Sequence, residues 1–118
     1  MSLSRLVPAF ALLAAALAAP AFAHPHLLAA TPAANQVVPA PRQIMLHFSE
    51  RLMVSFSHVD VLNPAGAAVP MASAAAGDGM GLVLTPRAPL GPGVYRVNWR
   101  AVSVDTHRLE GSYVFRVR

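Results

Sequence analysis

Any chemistry in this chain must come from a small set of side chains. The 118 residues include five histidines, five acids and no cysteine. Without cysteine there is no thiol nucleophile. No Gly-x-Ser-x-Gly elbow, phosphate loop or dinucleotide fingerprint occurs. The acids Glu50, Asp60, Asp78, Asp105 and Glu110 include no pair whose spacing suggests acid–base work. Two short segments stand out instead, His24-Pro25-His26 and Asp105-Thr106-His107. Imidazole is the commonest protein ligand for metals, so metal binding is the chemistry these segments point to.

The significance of His24 depends on what precedes it. Arg5 supplies a positive start, Phe10 to Ala19 is apolar, and Ala21-Phe22-Ala23 is a small-x-small cleavage pattern. These features read as a secretory signal peptide over residues 1–23, with the mature domain at 24–118. Pro8 and Pro20 interrupt the apolar run, which falls short of the roughly 20 residues that span a bilayer. The lack of cysteine excludes a lipoprotein, and the lack of a twin-Arg pair points to the general secretion route. The expected location is the periplasm.

Cleavage after Ala23 turns His24 into residue one. A terminal histidine offers its α-amine and ring Nδ1 to one metal ion in a chelate ring. Both nitrogens deprotonate readily near neutral pH. Nitrogen-rich, roughly square sites suit Cu(II). A square plane built from the amine, two backbone amides and a histidine at position three is blocked, because Pro25 has no N–H to lose. Copper on this terminus must therefore recruit donors from elsewhere in the fold.

Asp105 and His107 are the best further candidates. In an extended segment, residues two apart point the same way. The carboxylate could bind weakly or orient a ligand. The alternative is an Asx-type turn with an exposed histidine. Glu50, at the end of a strong strand, is either an outer carboxylate near the site or a solvated strand-end charge. His26 is an extra or competing ligand at most, and more simply a surface residue of a first strand. His47 and His58 fall on polar strand faces. Met45, Met53, Met71 and Met80 do not cluster in sequence, and core filling explains them more cheaply.

These residues need a scaffold, and the mature sequence reads as strands. Ile44, Leu46 and Phe48 alternate with Gln43, Met45 and His47. Val59 and Val61 oppose His58 and Asp60. Tyr95, Val97 and Trp99 oppose Arg96, Asn98 and Arg100. Tyr113, Phe115 and Val117 oppose Ser112, Val114 and Arg116. Leu82 and Leu84 belong to a further strand. Turn signals separate them, at Thr31-Pro32, Pro39-Ala40-Pro41, Asn63-Pro64-Ala65-Gly66, Gly77-Asp78-Gly79 and Gly91-Pro92-Gly93. Ala72 to Ala76 is expected as one helical turn or a loop. The architecture expected is all-β, an immunoglobulin-like sandwich with no disulfide. The net charge of +4 comes from scattered arginines and few acids, with no basic run. Nucleic-acid binding is not expected.

From His24 onward the chain resembles the CopC (PcoC) family of periplasmic copper-resistance proteins. The resemblance rests on His24-Pro25-His26-Leu27 with Thr31-Pro32-Ala33, Leu46-His47-Phe48-Ser49-Glu50, the run from Gly93 to His107, and Gly111-Ser112-Tyr113-Val114-Phe115. Within the run, Trp-Arg-Ala-Val-Ser-x-Asp-Thr-His is the most specific part. The resemblance implies a Greek-key β-barrel or sandwich of cupredoxin-like or immunoglobulin-like shape. It implies one Cu(II) per chain on the amine and ring of His24 and the ring of His107, with Asp105 nearby and Glu50 as an adjacent acid. Some members also hold Cu(I) in a Met-rich loop with an added histidine. Here Asn63 to Gly81 contains only Met71 and Met80 and no histidine, which argues against a separate Cu(I) site.

The implied role is copper binding without turnover, for buffering or for delivery to an inner-membrane copper transporter or another periplasmic copper-resistance protein. A monomer is expected. One rival is a copper oxidase built on a terminal histidine. It is disfavoured because only eight aromatics (five Phe, two Tyr, one Trp) are present, several of them needed in the core. The other rival is a metal-free immunoglobulin-like adhesion or assembly module.

Overall fold

Where apolar and polar residues alternate at period two, one face of a strand can be buried and the other solvated. The computed structural model describes residues 26–118. The signal-peptide reading and His24 fall outside them. The strands are β1 (Leu27–Thr31), β2 (Val37–Val38), β3 (Ile44–Phe48), β4 (His58–Leu62), β5 (Met71–Ala75), β6 (Gly81–Pro86), β7 (Gly93–Val102) and β8 (Arg108–Val117). A 3-10 turn, Val54–Phe56, precedes β4. The described residues contain no helix long and apolar enough to cross a membrane.

The strands form two four-stranded sheets, ordered β1-β3-β6-β5 and β2-β8-β7-β4. Strand β2 runs parallel to β8, and the other pairs are antiparallel. The chain passes repeatedly from one sheet to the other, so their inner faces close over a single core. Ile44, Leu46 and Phe48 of β3 meet Val97, Trp99 and Ala101 of β7, with Leu82, Leu84, Val61 and Phe115. Phe48 and Trp99 pack edge to face at 5.1 Å, and Tyr95 stacks on Phe115 at 5.6 Å. The all-β sandwich expected from alternation is thus the observed fold, and it uses no disulfide.

Two stretches differ from expectation. The Ala-rich segment is strand β5, not a helical turn or loop. Its backbone pairs with β6 from Met71–Pro86 to Ala75–Leu82. Cross-strand hydrogen bonding outweighs the local preference of alanine. Met45 is 45% exposed on the outer face of β3, so core filling does not account for it, whereas Met71 does pack against the core.

Trp99 also sets a constraint on its cross-strand neighbour. A Cβ on Gly111 would lie 2.4 Å from Trp99 Cζ2. The indole occupies the space that a side chain at 111 would need. This packing fixes the β7–β8 pair, whose far end carries the Asp105–His107 segment.

Candidate metal centre

Three chain segments meet at one end of the sandwich, and backbone hydrogen bonds hold them together. The first is the entry to β1. His26 N donates to Ser49 Oγ at 3.0 Å, and Ser49 N donates back to His26 O at 2.9 Å. The second is the stretch after β3, Ser49 to Met53. The third is the connection from β7 to β8. Val104 N donates to Arg51 O, Met53 N donates to Val102 O, and Leu52 forms an isolated bridge with Ser103. Glu50 therefore lies between the start of the described chain and the Asp105–His107 segment.

That last segment is a tight turn, not an extended strand. Thr106 N donates to Ser103 O at 2.8 Å, and Ser103 N donates to His107 O at 2.9 Å. Thr106 takes a positive φ of 70°, uncommon for a residue branched at Cβ. Asp105 and His107 do come together, but through this turn rather than through the pleat of a strand. Asp105 Oδ2 lies 3.3 Å from His107 Nδ1.

Ser103 organises the turn. It is the one buried polar residue of the described chain, with no exposed surface. Its hydroxyl donates to Asp105 Oδ1 and accepts from His107 N at 3.2 Å. The hydrogen bond from Ser103 is the largest influence holding the Asp105 carboxyl below its ordinary pKa of 3.8. Desolvation opposes it, and the neighbouring His107 adds to it. The carboxylate is thus kept ionised and oriented, which is the state a metal requires. Ser103 belongs to the Trp-Arg-Ala-Val-Ser-x-Asp-Thr-His run, but no role was assigned to it from sequence, since a lone serine between two valines carries no chemical signal.

Glu50, Asp105 and His107 form a group in which one ligand atom from each lies within 4.8 Å of the others. Two donors on opposite sides of a metal at about 2.0–2.2 Å are about 4 Å apart, so the group is within a small adjustment of closing on one ion. Glu50 Oε2 is buried and has no hydrogen-bond partner. A buried carboxylate oxygen without a donor is costly, and a cation would satisfy it. One imidazole and two carboxylates form a borderline-to-hard donor set, suited to Cu(II) once further nitrogen is added. The group does not include His26, His47 or His58. His58 bonds Asp60 at 2.9 Å on the exposed face of β4, and His47 is exposed on β3.

The comparisons with known proteins bear on the family and the fold. The CopC domain model matches residues 27–118. The chain belongs to the CopC family. It is 45% identical over 103 residues to Copper resistance protein C of Pseudomonas syringae pv. tomato, covering 81% of this chain and 82% of the relative. Among solved structures it resembles PcoC, a methionine-rich copper resistance protein from Escherichia coli. The TM-score is 0.74 at 42% identity, over 81% of this chain and all of that one (100%). It also resembles CopC from Methylosinus trichosporium OB3b, with a TM-score of 0.73 at 31% identity, over 80% and 93% of the two chains. The CopC resemblance read from the motifs is therefore sound, and so is the β-sandwich it implied.

Proposed function

We propose that this CopC-family chain is a periplasmic Cu(II)-binding protein that buffers or delivers copper without turnover, one ion per mature chain. In this reading residues 1–23 are a cleaved leader and 24–118 the mature domain. The ion is held by the amine and ring of His24 and the ring of His107. Asp105 is a weak ligand or an orienting partner, and Glu50 lies at the margin of the site.

The observation that carries the proposal is the Glu50–Asp105–His107 group with its unpartnered Glu50 oxygen. The hydrogen bonds between His26 and Ser49 support a role for His24. Two residues of chain span at most about 7 Å, so an amino terminus two residues before His26 would be within reach of Ser49 and Glu50. The relatives carry copper resistance in their names, which fits copper as the cargo. Copper on both the terminus and the 103–107 turn would clamp the chain's start to the body. It would raise stability by mass action. Separate transporter or resistance proteins are the natural source or recipient of the ion.

The test is a Cu(II) titration of the mature chain beside His107→Ala, with circular dichroism to confirm that the variant folds. Loss of an outer partner costs roughly 10–100-fold in metal affinity, so loss of a direct ligand is expected to cost at least about 100-fold. Equal affinity in the two proteins would remove His107 from the site.

A further inference from the structure

Beside the 103–107 turn lies an open cleft of about 470 Å³ that copper binding does not explain. It runs between the 3-10 turn and the outer face of the β7–β8 pair. Met53, Phe56 and Val102 form its apolar wall, Arg100 and Arg108 its charged floor, and Thr106 its rim toward the metal centre. Phe56 is 63% exposed, and Val104 in the adjoining turn is 59% exposed. Phe56 and Val104 are two of six exposed large apolar side chains among the described residues, and Phe56 is the one that lines the cleft.

The two arginines are diagonal neighbours. Arg100 pairs with Glu110, and Val102 pairs with Arg108, on the same face of the ladder. Side chains so placed are within reach of each other. Among the described residues, neither arginine has a carboxylate within 4.0 Å, and the ion pairs found are His58–Asp60 and His107–Asp105. Glu110 is opposite Arg100, and both line an adjoining recess with Asp60 and Asn98, so Arg100 lies between that recess and the cleft. Two like charges thus share one face of the ladder without an ion pair, and Arg108 has no acid opposite it. Arginine forks match carboxylates in a planar, two-point geometry. Arginine and aromatic residues together are the composition of interface centres.

We propose that this cleft is a docking surface for an acidic, apolar-spaced segment of a partner protein. A partner carboxylate would lie across Arg100 and Arg108, with an apolar side chain against Phe56 and Met53. The apolar wall favours such a segment over a bare phosphate or a flat lipid surface. Docking there would bring the partner to Thr106, between Asp105 and His107. That consequence for metal transfer rests on the copper reading, whereas the docking itself does not.

The probe is the blocked hexapeptide Glu-Leu-Glu-Glu-Leu-Glu, titrated into metal-free 15N-labelled mature chain. The Lys-Leu-Lys-Lys-Leu-Lys peptide and phosphatidylglycerol vesicles serve as comparisons. The expected result is that amide shifts cluster at Ser55, Phe56, Thr106 and Arg108, for the acidic peptide alone. In the Arg100→Glu/Arg108→Glu protein, binding should fall at least about tenfold, and about 0.5 M salt should weaken the wild-type interaction similarly. A well-dispersed spectrum of the double variant shows that it folds. If the spectrum collapses, Arg100→Gln is read in its place, with the same expected direction. Absence of shifts would overturn the proposal. So would shifts spread evenly over Arg42, Arg87, Arg96 and Arg116, or vesicle binding at these residues without peptide binding. Because copper is absent throughout, failure here is distinct from failure of the copper site.

Discussion

Strand β7 and its continuation pass through two environments held by different forces. From Tyr95 to Ala101 alternate side chains are buried against Phe48, Phe115 and the leucines of β6. From Val104 to His107 every side chain is exposed, and the turn is held by Ser103 and by backbone hydrogen bonds. The first stretch is a packing problem, in which volume decides. The second is a hydrogen-bonding problem, in which one buried hydroxyl decides. A scaffold can therefore be stable while its site remains adjustable, and the two should fail independently under substitution.

The largest effect on stability is expected in the packed stretch. Phe48 is fully buried, so Phe48→Ala should cost about 3–5 kcal/mol in urea unfolding. Gly111→Ala comes next, because its Cβ must displace the Trp99 indole. A loss of about 1–3 kcal/mol is expected, with a shift in tryptophan fluorescence reporting the moved ring.

Ser103→Ala should cost on the order of 1 kcal/mol, because the His107 backbone N–H loses its hydroxyl acceptor. It should also change the response to acid. The folded Asp105 pKa is depressed, so its stabilisation is complete above the ordinary carboxylate value of 3.8 and is lost as pH falls through the lowered one. In metal-free Ser103→Ala the acid limb of the stability curve should be shallower than in the parent, as measured by urea unfolding across that range. The smallest effect belongs to His107→Ala, at the exposed end of the comparison. It should change stability by less than about 0.5 kcal/mol while abolishing tight copper binding. If His107→Ala were as destabilising as Phe48→Ala, the separation of scaffold from site would fail.

Much of the scaffold could be read from residue types. β3, β4 and β7 alternate strictly and bury the residues that alternation assigns inward, whereas in β8 Phe115 and Val117 are buried but Tyr113 and Val114, on opposite faces, are both half-buried. β1 and β5 were harder. β1 carries an irregular register between Leu27 and Ala29, which destroys the period, and β5 exposes alanine and serine on both sides. Asp105 and His107 were legible as a pair, and of the two readings open from sequence, an extended segment or an Asx-type turn with an exposed histidine, the turn is the one the fold takes. Glu50 joins them because backbone bonds stitch residues 49–53 to two distant segments, and such bonds leave no mark in side-chain pattern. The role of Ser103, a residue of the most specific motif, was not legible for a related reason. Its importance comes from burial beside an acid that only the fold brings to it.

In the proposed site copper joins the mature amino terminus to the 103–107 turn. The most direct measurement is electron paramagnetic resonance during Cu(II) titration of a chain starting at His24, beside one carrying a single extra residue ahead of it. Tight one-to-one binding with a nitrogen-rich spectrum is expected in the first chain. Weak binding with a changed spectrum is expected in the second, whose amine is displaced. Identical affinity and spectra in the two chains would contradict the proposed site.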